Sequence, residues 1–252
     1  LDHSKLTGLN NYDSRFLNQS FDKGNKYSVP YFWGTLGIIY NDKYVKAKDI
    51  QHWDDLWSSK FKNQIMLIDS ARDVLGITLI TQGKSVNNKS VADLAAAQGK
   101  LTTLMPNVKA IIADEIKMYM AQDEAAIAVT YSGEAAEAMD KNSHLHYVVP
   151  SEGSNLWFDN IVMPKNAKHK AAAYAFLNFM SEPKNAAQNA EYIGYATPNK
   201  KALSLLPKSI REDKQFYPDE KTVRNLQTYD DLGQKWTEKY NDAFLEFKMT
   251  QR

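Results

Sequence analysis

Trp157 and Asp159 stand two residues apart in the apolar segment NLWFDNIVMP, residues 155–164. Between Gly153 and Pro164 the segment reads as a buried strand, where an unpaired ionised carboxylate would be costly. Side chains alternate between strand faces, so the indole and the carboxylate share one face. That pair suits an ammonium group, through charge-assisted hydrogen bonds and ~0.5–2 kcal/mol of cation–π attraction. The structural alternative is that Asp159 pairs with a lysine or arginine of the protein.

A second candidate is the segment DSARDV, residues 69–74, between an expected strand and an expected helix. Ser70 followed three residues later by Asp73 resembles a helix capping box, which is a structural role. Strand-to-helix loops of open α/β sheets also carry ligand contacts. Ser70 and Asp73 are therefore candidates for either role.

Two tyrosines occupy similar positions near element ends. Tyr131 ends an expected strand in VTYSGEA, and Tyr195 lies in the Gly/Pro-rich loop YIGYATPN. Burial in the core is the alternative for both, although loop aromatics more often contact ligands.

Motifs of catalytic chemistry fail on inspection. The GKS at residues 83–85 has Thr78 where a phosphate-binding loop needs glycine. Ser132 lacks the glycine two residues earlier that a nucleophile elbow requires. His144 and His146 share a strand face, but no third ligand at suitable spacing accompanies them. Paired carboxylates such as Asp73 and Asp159 leave a hydrolase as an alternative.

The amino-acid composition excludes or disfavours several further classes of function. The 252 residues carry 31 Lys and Arg against 30 Asp and Glu, a balance that disfavours nucleic-acid binding. The absence of cysteine excludes disulfides, thiolate catalysis and cysteine-rich zinc sites. Apolar runs fall far short of the ~20 residues of a membrane span. The chain opens at Leu1 with no signal-peptide pattern, so we expect any targeting segment upstream.

The elements that must position these residues alternate between strand and helix. Strand patterns cover residues 27–41 and 145–150, and strand-to-helix patterns cover residues 64–83 and 123–139. Further helices are expected at residues 90–104, 184–192 and from about 218 onward. Ala173, Phe176, Leu177 and Met180 have the spacing of a core-facing helix. The order predicts an α/β protein with ligand contacts at the carboxyl ends of strands.

Seven segments, taken together and in order, resemble the polyamine-binding proteins of the spermidine/putrescine ABC importers. They are YSVPYFWGT, WDDLW, IDSARDVLG, LMPNV, NLWFDNIVMPKNAK, IGYATPN and YPDEKT. The likeness spans essentially the whole chain, and the family's first strands and helix would precede Leu1. It implies a two-lobed periplasmic-binding-protein-like fold (type II), with crossing hinge segments near Gly34 and Phe158 and a ligand cleft between the lobes.

The resemblance also implies which residues bind the ligand. Asp159 matches the family's aspartate that holds one end of the polyamine, Trp157 matches an aromatic wall, and Tyr195 matches a pocket tyrosine. Tyr131 stands where tryptophan is common. Ser70 and the shorter Asp73 stand where two acids are found.

Tyr229 stands where the family has an amide side chain, which is a further departure from its pattern. The differences leave the choice between spermidine and putrescine open.

The resemblance divides the chain into lobes of residues 1–34 plus 159–203 and 35–158 plus 204–252. It implies an extracytoplasmic, non-enzymatic receptor, free of cofactors and monomeric, which hands a polyamine to an ABC permease. Membrane association would come only through that permease or an upstream lipid anchor. Another cationic solute or a metal ion, bound by tyrosines with His144 or His146, is the alternative cargo.

Overall fold

Residues 1–250 are described by a computed structural model and form two compact units. Unit 1 comprises Leu1–Gly34 and Trp157–Tyr217, and unit 2 comprises Thr35–Leu156 and the described chain from Pro218 onward. Along the chain, the second and third boundaries between the two units therefore fall after residues 156 and 217. The resemblance implies boundaries after residues 158 and 203. Leu206 explains part of the second difference, because it packs with Phe32 in a core of unit 1. The assignment of these units as lobes stays a prediction.

Six strands and ten helices follow one another along the described chain. The strands are β1 (Ser28–Asn41), β2 (Ile65–Ile68), β3 (Val108–Ile112), β4 (Ile127–Tyr131), β5 (Leu145–Val148) and β6 (Leu156–Val162). The helices are α1 (Ala71–Thr81), α2 (Val91–Thr102), α3 (Ile116–Ala121), α4 (Ser132–Lys141), α5 (Lys170–Ser181), α6 (Pro183–Ile193), α7 (Lys200–Leu203), α8 (Lys208–Arg211), α9 (Glu220–Arg224) and α10 (Gln234–Met249). Several 3₁₀ turns, among them Trp53–Trp57, join them.

Unit 2 is built on a mixed sheet in the order β3-β2-β4-β1-β5. β2 runs parallel to β3 and β4, whereas β1 runs antiparallel to β4 and β5. β2 is buried along its whole length, as the apolar run IMLI predicts for a parallel strand covered on both faces. The carboxyl ends of β2, β3 and β4 consequently meet at one edge of the sheet, where each strand leads into a helix.

Unit 1 has two small cores on either side of the first part of β1. Phe32 packs with Ala187, Ala190, Ala202 and Leu206, and Val29 packs with Tyr12, Tyr174 and Leu177. β6 pairs with β1. The α/β class predicted from the sequence is confirmed by this sheet and its helices.

Two predicted burial patterns are wrong. β6 is half-buried at most positions and exposed at Asp159 and Val162, because β1 is its one pairing partner among residues 1–250. In α5, Phe176 is exposed although its spacing predicts a core contact. Leu177 is buried as predicted, but the other buried residues of α5 are Tyr174 and Ser181. Within the described chain, no helix is both long and apolar enough to span a bilayer.

Candidate functional site

In unit 2, Asp73 lies between two tyrosine hydroxyls. Tyr131 donates to its Oδ2 and Tyr229 donates to its Oδ1, each at 2.7 Å. Asp73 is 3% exposed, so these two donors satisfy a carboxylate that would otherwise be costly to bury. The structure thus brings three of the predicted site residues together.

Local sequence explains how this cluster is placed. Ser70 is the N-cap of α1, and its hydroxyl accepts the backbone N–H of Asp73 at 3.4 Å. The first of the two hydrogen bonds of the predicted capping box, from the Asp73 backbone to the Ser70 side chain, is therefore present. It fixes Asp73 in the first turn of α1. Gly76 lies one turn later, where an added Cβ would stand 3.3 Å from the Tyr229 hydroxyl. A glycine there lets Tyr229 approach the helix closely.

Arg72 also packs on Tyr229, and it was not among the residues singled out from the sequence. Its guanidinium lies 4.5 Å from the centre of the Tyr229 ring and 5.3 Å from that of Tyr240, within cation–π range. It also donates to Oδ1 of Asn87 at 2.9 Å. Tyr229 is 157 positions away along the chain, so no local pattern could have revealed the contact.

The electrostatics keep both tyrosines protonated as hydrogen-bond donors. Burial raises the pKa of Tyr131 and of Tyr229 well above the ordinary value, and the negative charge of Asp73 raises each further. Ionisation of either phenol would leave two negative oxygens facing each other. The pair therefore acts as a permanent donor set that holds the Asp73 carboxylate.

In unit 1, Trp157 and Tyr195 form an aromatic wall. Their ring centres are 5.3 Å apart with the planes at 69°, and Tyr195 meets Phe32 edge-on at 5.7 Å. Both residues are half-buried and pack against the Phe32 core. Edge-to-face packing of this kind is a favoured arrangement of aromatic rings.

Asp159 follows Trp157 by two residues on the same strand, as predicted, but it lies on an exposed position of β6. Within residues 1–250 its carboxylate has no hydrogen-bond or ion-pair partner. Surrounding protein still desolvates it enough to raise its pKa above the ordinary 3.8. The internal lysine or arginine considered as an alternative partner is thus not found in the described chain.

The histidines considered as metal ligands bond an aspartate instead. Nδ1 of His144 lies 2.8 Å from Oδ1 of Asp42, and Nε2 of His146 lies 3.0 Å from Oδ2. Across residues 1–250, no group of three or more His, Cys, Asp or Glu side chains is placed to hold a metal ion.

Asp114 is another residue that the sequence analysis missed, together with the strand and helix around it. It lies in the short connection between β3 and α3 and is exposed. The run VKAII followed by ADE was the available signal, since a β-branched run ending in a polar turn indicates a strand end.

Comparisons with known proteins agree with this architecture. Residues 1–218 match the family described as bacterial extracellular solute-binding protein. The spermidine/putrescine-binding periplasmic protein of Salmonella typhimurium is 38% identical over 233 residues, which cover 92% of this chain and 67% of that protein.

Two solved structures are closer in sequence. The spermidine/putrescine ABC transporter substrate-binding protein PotD from Streptococcus pneumoniae is 55% identical with a TM-score of 0.94, covering 100% of this chain and 78% of that one. A putative spermidine/putrescine ABC transporter protein from Listeria monocytogenes is 56% identical with a TM-score of 0.92, covering 99% of this chain and 77% of that one.

Proposed function

We propose a transport function from the premise that this chain belongs to the family of bacterial extracellular solute-binding proteins. The protein captures a polyamine, spermidine or putrescine or both, outside the cytoplasm and delivers it to the permease of an ABC importer. It acts as a monomeric receptor and not as an enzyme. The names of its relatives, which are polyamine-binding proteins, support this assignment.

The observation that carries the proposal is the state of Asp159. This carboxylate is partly desolvated, has no partner within residues 1–250, and stands two residues from the indole of Trp157. An alkyl-ammonium group supplies what is missing, because its charge pairs with the carboxylate while its methylenes lie on the aromatic wall. A neutral ligand would leave the charge uncompensated.

The Asp73 cluster is a separate candidate for ligand contacts, within unit 2. Ser70, Asp73, Tyr131 and Tyr229 are gathered at the carboxyl edge of β2 and β4, the usual position of ligand contacts in open α/β sheets. Two phenol donors leave each oxygen of Asp73 one further lone pair for an ammonium hydrogen. Ser70 offers a hydroxyl with no charge.

Hydrolytic chemistry is poorly supported by the same geometry. A hydrolase needs a general base and a general acid at one centre, whereas the two groups bonded to Asp73 are tyrosines whose pKa values are raised far above neutrality. At the surface, Ser151 Oγ and Glu152 Oε2 both approach Nδ1 of His52, at 2.9 and 3.2 Å. A proton relay needs the two different ring nitrogens, so this cluster is no triad.

Isothermal titration calorimetry of the purified chain with spermidine and with putrescine tests the proposal. We expect saturable binding of one ligand per chain, with no product formed on prolonged incubation. 1,4-Butanediol, which has the same carbon length as putrescine but no charge, should give no heat. Lysine and arginine as competitors distinguish a polyamine receptor from a receptor for cationic amino acids. Absence of binding at millimolar polyamine would refute the proposal.

A further inference from the structure

The edge at which β2, β3 and β4 end carries an acidic side chain that the proposed function has not used. In the sheet, Met66 of β2 is level with Ala110 of β3 and with Ala128 of β4. Extending these parallel registers puts Ser70 level with Asp114, one position beyond the level of Tyr131. The last bond of the β2–β3 ladder, from Asp69 N–H to the Ile112 carbonyl at 2.9 Å, lies one position short of this level, where Ser70 N–H turns back to the Ile68 carbonyl.

Strand order then fixes the lateral spacing of these residues. β2 lies between β3 and β4, and neighbouring strands are about 4.8 Å apart. Asp114, Ser70 and Tyr131 therefore start from three adjacent strand ends in one row. The charge of Asp114 also contributes to the raised pKa of Tyr131, after burial and Asp73, as expected for neighbours.

Asp114 differs from the other acid of this row in being available. Asp69 is engaged by Lys248, whose Nζ lies 2.8 Å from its Oδ1. Asp114 is exposed and has no hydrogen bond or ion pair in the described part of the chain. The nearest lysine along the chain, Lys117, pairs with Glu134 and Glu137 instead.

We propose that Asp114 is a specificity-determining residue that binds the additional ammonium group of a triamine. The inference rests on the proposed polyamine-binding function. Within unit 2, Asp73 supplies one carboxylate at this edge of the sheet. Spermidine carries one ammonium group more than putrescine, and Ser70 has no charge to offer it. Asp114, level with Ser70 on the next strand, supplies the missing carboxylate and makes the chain favour spermidine.

Titration calorimetry of four proteins with both ligands tests this assignment. The proteins are the unaltered chain, Asp114→Asn, Asp114→Glu and the control Asp140→Asn. Asp140 is an equally exposed aspartate of unit 2 with no partner within residues 1–250, near the far end of α4. Thermal melting checks that each variant remains folded.

We expect Asp114→Asn to lower the affinity for spermidine about tenfold and that for putrescine less than about twofold. Asp114→Glu should restore most of the selectivity, and Asp140→Asn should change neither affinity. Equal losses for both ligands, or losses no larger than those of Asp140→Asn, would overturn the role of Asp114 while polyamine binding stands. An unaltered chain that binds putrescine but not spermidine also overturns it. A chain that binds neither ligand refutes the proposed function itself, and this inference with it.

Discussion

The Tyr229 hydroxyl lies 2.7 Å from Oδ1 of Asp73, although the two residues are 156 positions apart in the sequence. The hydroxyl also lies 3.1 Å from the Arg72 carbonyl, but its single hydrogen favours the nearer, charged oxygen. The contact ties the segment after α9 to the first turn of α1. It gives an aspartate at the edge of the sheet a buried position, with one tyrosine donor on each carboxylate oxygen when Tyr131 is included.

Replacing Tyr229 by phenylalanine should therefore destabilise the protein. The change leaves one oxygen of a buried carboxylate without its donor, which costs ~1–3 kcal/mol of unfolding free energy. Urea unfolding followed by circular dichroism measures the loss. Tyr44→Phe is the matched control, because Tyr44 is 57% exposed. Equal stabilities of the two variants would show that the Tyr229 hydroxyl contributes nothing to the fold.

Asp159→Asn should separate binding from stability. Removing the charged partner of a ligand ammonium weakens polyamine binding by ~2–5 kcal/mol if the pair is buried in the complex. The melting temperature without ligand should stay the same or rise, because the desolvated charge has no partner within residues 1–250. Glu191→Gln, an exposed acid of unit 1, is the control. Unchanged affinity in Asp159→Asn would mean that Asp159 is not a ligand contact.

Polyamine affinity should fall as the solution is acidified. Desolvation raises the pKa of Asp159 in the free protein above 3.8, and a protonated carboxyl cannot pair with an ammonium group. The affinity is therefore complete at neutral pH and declines as pH drops through this raised pKa, earlier than an ordinary aspartate would require. Calorimetry from pH 7 to pH 4 measures it. Asp159→Asn should remove this part of the pH dependence.

Asp22 should stabilise unit 1, because its pKa is lowered in the folded protein whereas that of Asp159 is raised. Burial opposes its ionisation, but the Ser28 hydroxyl and the backbone N–H groups of Tyr27, Ser28 and Lys26 outweigh burial and lower its pKa below 3.8. Its contribution is therefore present above pH 3.8 and is lost as pH falls through the lowered pKa.

Asp22→Asn tests this stabilisation. It should cost ~1.5–3 kcal/mol at pH 7, the range for hydrogen bonds to a charged group. Urea unfolding at pH 7 and at pH 3 measures the difference, which should narrow in acid. A difference that is the same at both pH values would contradict the assignment.

Local patterns predicted the elements whose signals are contained in a few residues. The strand-to-helix units β2–α1 and β4–α4 follow from an apolar run, a short turn and, for α1, the cap Ser70. β3 and α3 were missed because Lys109 interrupts a short apolar run. The phase of α5 was misjudged because apolar residues occur on several of its faces. Packing against Tyr12 and Val29 decides which face is buried.

For the candidate site too, local patterns identified individual residues but not the contacts between distant ones. Sequence reasoning singled out Asp159, Trp157 and Tyr195 as candidates through strand alternation and loop composition, and their binding role stays a prediction. It could not find that Asp73 is enclosed by Tyr131 and Tyr229, because those partners come from distant parts of the chain. Arg72 and Asp114 were missed for related reasons, since their positions depend on ring stacking and on sheet register.

Because each unit is built from two separate segments of the chain, the order of synthesis at the ribosome decides when its core can form. Val29 and Phe32 of β1 are synthesised before their packing partners in unit 1. Those partners, Leu177, Ala202 and Leu206, follow only after all of residues 35–156. Residues 1–34 of unit 1 therefore lack their core partners, and their apolar strand stays exposed, until residues 157–217 emerge from the ribosome. A nascent chain halted before Trp157 lacks these partners, and the core around Phe32 is complete only after Leu206 has been synthesised.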